Sequence, residues 1–105
     1  MVKLVALYKK PSDPEAFDNH YFNIHIPLAD KMPGLRRTEV TKIVGAPMGE
    51  PPYYLMAELY FDDMEALKQA MSSPEGKAAA KDVMSFAGNI VTMMFADDKI
   101  PAKIS

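Results

Sequence analysis

An α+β fold of order βαββαβ, one four-stranded antiparallel sheet with its helices on one face, is what this 105-residue sequence predicts. Three observations carry it. Short apolar runs alternate with longer helical stripes in that order, and prolines and glycines cut the chain between them. Strands one, three and four are apolar on both parities. Two right-handed βαβ crossovers in one sheet put both helices on the same side, which is the ferredoxin-like architecture.

The first strand is Val2 to Tyr8, closed by Lys9-Lys10-Pro11. Ser12 and Glu15 have capping-box spacing, and Pro14 sits where a first helical turn needs no backbone donor. Phe17, Tyr21, Ile24 and Leu28 then form a narrow stripe, with His20 and His25 on opposite flanks. Pro27 removes one helical hydrogen bond, so the helix kinks or restarts there. Pro33-Gly34 suits the middle of a type II turn. Arg36 to Gly45 reads as a weaker edge strand, and 46–52, with three prolines, as a loop. Tyr53 to Phe61 is a strong third strand. Asp62 or Asp63 caps a second helix, Ser73-Pro74 restarts it, and Gly88-Asn89 closes it. Ile90 to Ala96 is the fourth strand. The tail 97–105 reads as loose or draped on a neighbour.

One domain spanning 1–105 follows from length, and a chain this size buries about 65% of its surface without staples. Lys plus Arg is 12 and Asp plus Glu is 14, a net charge of −2. That balance offers no surface for nucleic acid or an anionic membrane. Cysteine is absent, which removes disulfides, thiolate metal sites and a thiol nucleophile. No run approaches a membrane span and no leader pattern opens the chain, so the expected location is cytoplasmic. There is no glycine-rich phosphate loop and no serine in a nucleophile elbow. Nine methionines suit core filling or a pliable pocket wall. Helices cover one sheet face only, so the other apolar face calls for a second copy of the chain: a homodimer with sheets face to face.

The segment FDNHYFNIHIPLADKMPGL, Phe17 to Leu35, resembles the EthD family of the dimeric α+β barrel group. Phe17, His20, Tyr21, His25, Pro27, Leu28, Pro33, Gly34 and Leu35 match its pattern. Ser73-Pro74-Glu75-Gly76 and Phe86 look like its second helical region. Many members have tryptophan where this chain has Tyr21. The resemblance implies a dimer. It also implies, loosely, work on aromatic or lactone compounds without metal or organic cofactor; shared fold does not transfer a reaction.

His25 is the expected acid/base, because neutral imidazole in a helix–sheet cleft can move a proton near neutral pH. The alternative is a packed histidine bonded to the Asn23 carbonyl that Pro27 leaves free. Tyr8 is the expected catalytic partner, a phenol that positions a carbonyl or phenolate. His20, Tyr21, Tyr54, Met56, Glu58 and Phe86 are the expected ligand-binding residues. Glu58, alone among apolar neighbours, is either a buried acid or the partner of Arg36, Arg37 or Lys42. His20 and His25 are about 140° apart on an α-helix, so no shared metal is expected. No cofactor is expected either. Three functions fit. The first is a cofactor-independent isomerase or oxygenase acting on a hydrophobic lactone, quinone or phenol. The second is a non-catalytic ligand-binding or accessory protein for a partner oxygenase. The third is a structural dimerisation module.

Overall fold

The computed structural model describes residues 1–99 and shows one four-stranded antiparallel sheet in the order β2-β3-β1-β4. The elements are β1 (Val2–Tyr8), α1 (Pro14–His20), a π-helical turn (Tyr21–His25), α2 (Ile26–Ala29), β2 (Arg37–Lys42), β3 (Leu55–Phe61), α3 (Met64–Ser72), α4 (Pro74–Ala87) and β4 (Val91–Asp97). This is the ferredoxin-like α+β fold.

Central β1 pairs along its whole length with β3 and with β4, Val2 opposite both Phe61 and Asp97. Side chains alternate across the sheet. Val2, Leu4, Ala6 and Tyr8 of β1, with Leu55, Ala57, Leu59 and Phe61 of β3, share one core with Phe17, Tyr21, Ala29, Leu67, Ala70, Ala79, Val83 and Ala87 from the helices. The opposite face carries Lys3, Val5, Leu7, Met56, Glu58, Tyr60 and Met94, and no helical residue belongs to it. β2 is an edge strand, as its weak pattern predicts, but it ends at Lys42. Val44, inside the expected strand Arg36 to Gly45, lies beyond β2 and is 98% exposed.

Helix ends follow local chemistry with small shifts of register. Asp13, not Ser12, caps α1, its carboxylate accepting from the Ala16 N–H at 3.1 Å. Asp63 caps α3 through Ala66 N–H, leaving Asp62 to pair with Arg36. Ser73 caps α4 through Gly76 N–H at 3.0 Å. Gly76 also lets α4 cross close to α3, because a Cβ there would lie 2.0 Å from the Ala70 carbonyl oxygen. Gly34 turns the chain with a φ of +78°, as a type II turn requires. The tail begins later than expected: Asp97 closes β4, and Asp98 bonds the Met1 amine and carbonyl. The rest of the expected loose tail, 100–105, lies outside the described residues.

The largest departure is in the first helical run. Its buried residues are Phe17, Tyr21, His25 and Ala29, while Ile24 is exposed. Instead of a kink at Pro27, the run contains a π-helical turn in which the Ile26 N–H reaches back five residues to the Tyr21 carbonyl. Pro27 has no N–H to place, and beyond it Asp30 N–H bonds the Ile26 carbonyl in ordinary α register. The inserted residue cancels the drift of a four-residue repeat around an α-helix. His25 therefore stays in line with Phe17 and Tyr21.

Candidate functional site

In a turn whose bonds run over five residues, positions five apart come nearly into line. His20 and His25 accordingly meet one carboxylate, Asp82 of α4. His20 Nε2 lies 2.9 Å from Asp82 Oδ1 and 3.1 Å from Oδ2, and His25 Nδ1 lies 3.0 Å from Oδ2. A carboxylate only accepts, so both ring nitrogens donate. This places the His25 proton on Nδ1 and leaves Nε2 as the basic atom. Both the opposite-flank placement of the two rings and the backbone-carbonyl partner for His25 are corrected by this geometry. Even so, the described residues hold no group of three His, Cys, Asp or Glu able to take a metal ion.

The His25 side chain is 10% exposed and lines a cavity of about 80 Å³ between helices and sheet. The walls are Leu4, Ala6, Ala57, Leu59, Ala79 and Val83, and three methionines, Met32, Met71 and Met93, border it. Tyr8 and Tyr21 complete the lining. Each is only 1% exposed. Their rings meet edge to face at 5.4 Å, and Tyr21 lies 5.6 Å from the His25 ring. Among the described residues neither phenol oxygen has a hydrogen-bond partner, and neither does His25 Nε2. Yet among the described residues no side-chain polar atom is both sealed from solvent and unpaired. The three polar atoms of the cavity are thus unpaired within the protein yet open to solvent.

Burial sets their protonation. It pushes both phenols far above their ordinary range, helped at Tyr8 by the Asp82 charge and at Tyr21 by Tyr8 and Asp30. Both remain neutral donors. Burial also pulls His25 below its ordinary 6.5, against the opposing pull of Asp82. At neutral pH the ring is an uncharged base.

The other expected ligand-binding residues divide. His20 and Phe86 border a separate outer groove with Ser12, Asp13 and Phe17, and their rings stack at 4.2 Å. His20 seals the seam between α1 and α4, not one between helix and sheet. Tyr54 points away from the cavity: its hydroxyl bonds Asp18 at 2.9 Å and accepts from Lys42. Met56 and Glu58 lie on the outer sheet face, because strand parity opposes them to Leu7 and Val5. Glu58 bonds Lys3 at 2.7 Å, not the cations of β2, since the β2 residue directly opposite is Glu39. Asp82 is absent from the sequence reading. Its one signal is spacing: it falls beside Val83 between Ala79 and Phe86, on a stripe where an acid needs a partner.

The EthD domain family model matches residues 9–89, which include the whole His20–Asp82–His25 array. The chain belongs to the EthD family. An EthD family protein from Bacillus halodurans is 58% identical over 93% of this chain and 98% of its own, with a TM-score of 0.91. An uncharacterized 11.0 kDa protein from the thcB-thcC intergenic region of Rhodococcus erythropolis is 39% identical over 94% of this chain and 96% of its own. SnoaB of Streptomyces nogalater, a cofactor-independent oxygenase, shares the fold at a TM-score of 0.67 but only 14% identity, covering 95% of this chain and 94% of its own.

Proposed function

We propose that this EthD protein is a homodimeric small-molecule enzyme that moves a proton without a cofactor, with His25 as the base. One observation carries the reading. Asp82 holds the His25 ring at Nδ1 while the same ring borders an apolar cavity that two unpaired, buried phenols also face. No lysine or arginine lines that cavity among the described residues. A neutral carbonyl compound fits this chemistry better than an anion. Its oxygen accepts from Tyr8 and Tyr21, and His25 Nε2 takes a proton from the adjacent carbon. The C–H electron pair becomes the enolate, whose negative oxygen the phenols stabilise. Returning the proton to another carbon completes an isomerisation. Capture of the same carbanion by dioxygen is the second reaction of this class, and SnoaB, which shares the fold, is a cofactor-independent oxygenase.

The cavity's 80 Å³ is smaller than the roughly 150 Å³ that holds a benzene. A ring-sized substrate therefore displaces Met71 and Met93, which are partly exposed and flexible. The second copy belongs on the outer sheet face, where Val5, Leu7, Met56 and Met94 form an apolar band without a helical cover. Ferredoxin-like proteins of this fold from Bacteroides fragilis and Thermobifida fusca are described as dimeric.

The test is binding to a panel of small lactones, cyclic enones, quinones and phenols, followed by chromatography and mass spectrometry of each mixture. A separable isomer or a heavier oxygenated product, lost in His25→Ala with fold and dimer intact, supports the enzyme. Binding with every compound recovered unchanged supports a carrier, and turnover that survives His25→Ala refutes the mechanism.

A further inference from the structure

The array around Asp82 joins two hollows. His25 borders the inner cavity and His20 the outer groove; His25 Nδ1 bonds Asp82 Oδ2, and His20 Nε2 reaches both oxygens of the same carboxylate. The His20 side chain is 30% exposed, three times the value for His25. Phe86 packs against both imidazoles, at 4.2 and 5.4 Å between centroids. Once a substrate fills the apolar cavity, the base needs a route by which its proton reaches solvent.

We propose that Asp82 and His20 are that route: a proton path from the cavity face of His25 to the groove. It rests on the reading of His25 as the proton acceptor. His25 Nε2 gains a proton, and the Nδ1 proton passes to Asp82 Oδ2. His20, brought by exchange with water to the tautomer with hydrogen on Nδ1, takes the proton from Oδ2 at its freed Nε2, 3.1 Å away, and releases its Nδ1 proton to water. Only N–H and O–H bonds change, and one proton moves outward in net. Asp82 and His20 are positioning and relay residues that need not touch the substrate. The other titratable groups facing the array are Tyr8 from β1, Tyr21 from the π-helical turn and, across the outer groove, Asp13.

The path is testable without a substrate. The His25 Nδ1 proton, held by Asp82, gives a resolved imidazole signal whose exchange with water NMR can time. His20→Gln keeps an N–H donor for Asp82 Oδ1 but cannot pass a proton on. The expected result is exchange slowed by at least about tenfold, with the backbone amides of Ile26 and Val83 unchanged. Asp82→Asn, the second variant, should put His25 in the same slow regime, and adding His20→Gln to it should slow exchange no further. Wild-type exchange in His20→Gln, or amides that change in parallel with the ring proton, overturns the path. Slowed exchange with no turnover on any panel compound leaves the path standing and fails the enzyme reading. Turnover that needs His25 with exchange unaltered does the reverse.

Discussion

The two faces of the sheet are both apolar with a few polar groups, and they differ in how those groups are satisfied. On the outer face the polar atoms pair with one another: Lys3 with Glu58 at 2.7 Å, Tyr60 with Glu39 at 2.9 Å, and Arg37 over the Tyr60 ring at 4.0 Å. On the inner face Tyr8, Tyr21 and His25 Nε2 have no partner among the described residues, although all three residues are buried. Buried polar groups are normally paired, because leaving one unmade costs about 1–3 kcal/mol. The outer face pairs its polar atoms within the protein, whereas the inner face leaves them unpaired but open to solvent. On the proposed function, association belongs to the outer face and chemistry to the inner one.

The widest separation of the two faces should come from Met94→Glu. Met94 is 44% exposed on the outer face and opposite Val5. In a two-fold interface the new charge appears twice, and like charges brought together cost several kcal/mol. Sedimentation should show monomers at concentrations where the parent is dimeric, about a hundredfold weaker association or more. Dimers that persist in Met94→Glu would put the interface elsewhere.

A pair of hydroxyl deletions sharpens the contrast on a smaller scale. Tyr60→Phe breaks the bond to Glu39, so stability should fall by about 1 kcal/mol with ligand binding unaltered. Tyr8→Phe removes a hydroxyl that bonds nothing in the protein, so stability should hold within about 0.5 kcal/mol or rise, while affinity for a carbonyl ligand falls about tenfold. Denaturant melts and ligand titrations of both variants decide it. A large stability loss in Tyr8→Phe would mean that its hydroxyl has a structural partner after all.

The smallest effect is in pH. The folded chain holds His25 below its ordinary 6.5, so near that value the unfolded chain binds the proton more readily. The His25 contribution to stability is complete above about pH 6.5 and declines as pH falls toward the depressed folded value. Melting temperature should therefore drop between about pH 7 and about pH 5, and His25→Gln should flatten that slope. An unchanged slope in His25→Gln would assign the pH dependence to other groups.

Much of the fold is legible in the chain because its signals are local. Val2 to Tyr8, the Ser73-Pro74 restart and the Pro33-Gly34 turn are each decided by neighbours in sequence. The site is legible only in part. His25 and Tyr8 stand out by residue type. The turn that aims His25 inward in place of Ile24 comes with a bond to Asp82, 57 residues away. An extra residue in a helix leaves no mark in an apolar stripe read at α-helical spacing. Glu58 was legible as a paired acid but not for its partner, because strand order decides whether β1 or β2 supplies the cation.

The central claim is that His25 is a neutral base whose free nitrogen faces the cavity. Nitrogen-15 NMR of the two imidazoles in the native protein at neutral pH tests it most directly. The expected result is an uncharged His25 ring with its proton on Nδ1 and an unprotonated Nε2 that shifts when a carbonyl ligand is added. A doubly protonated ring, or the proton on Nε2, would contradict it.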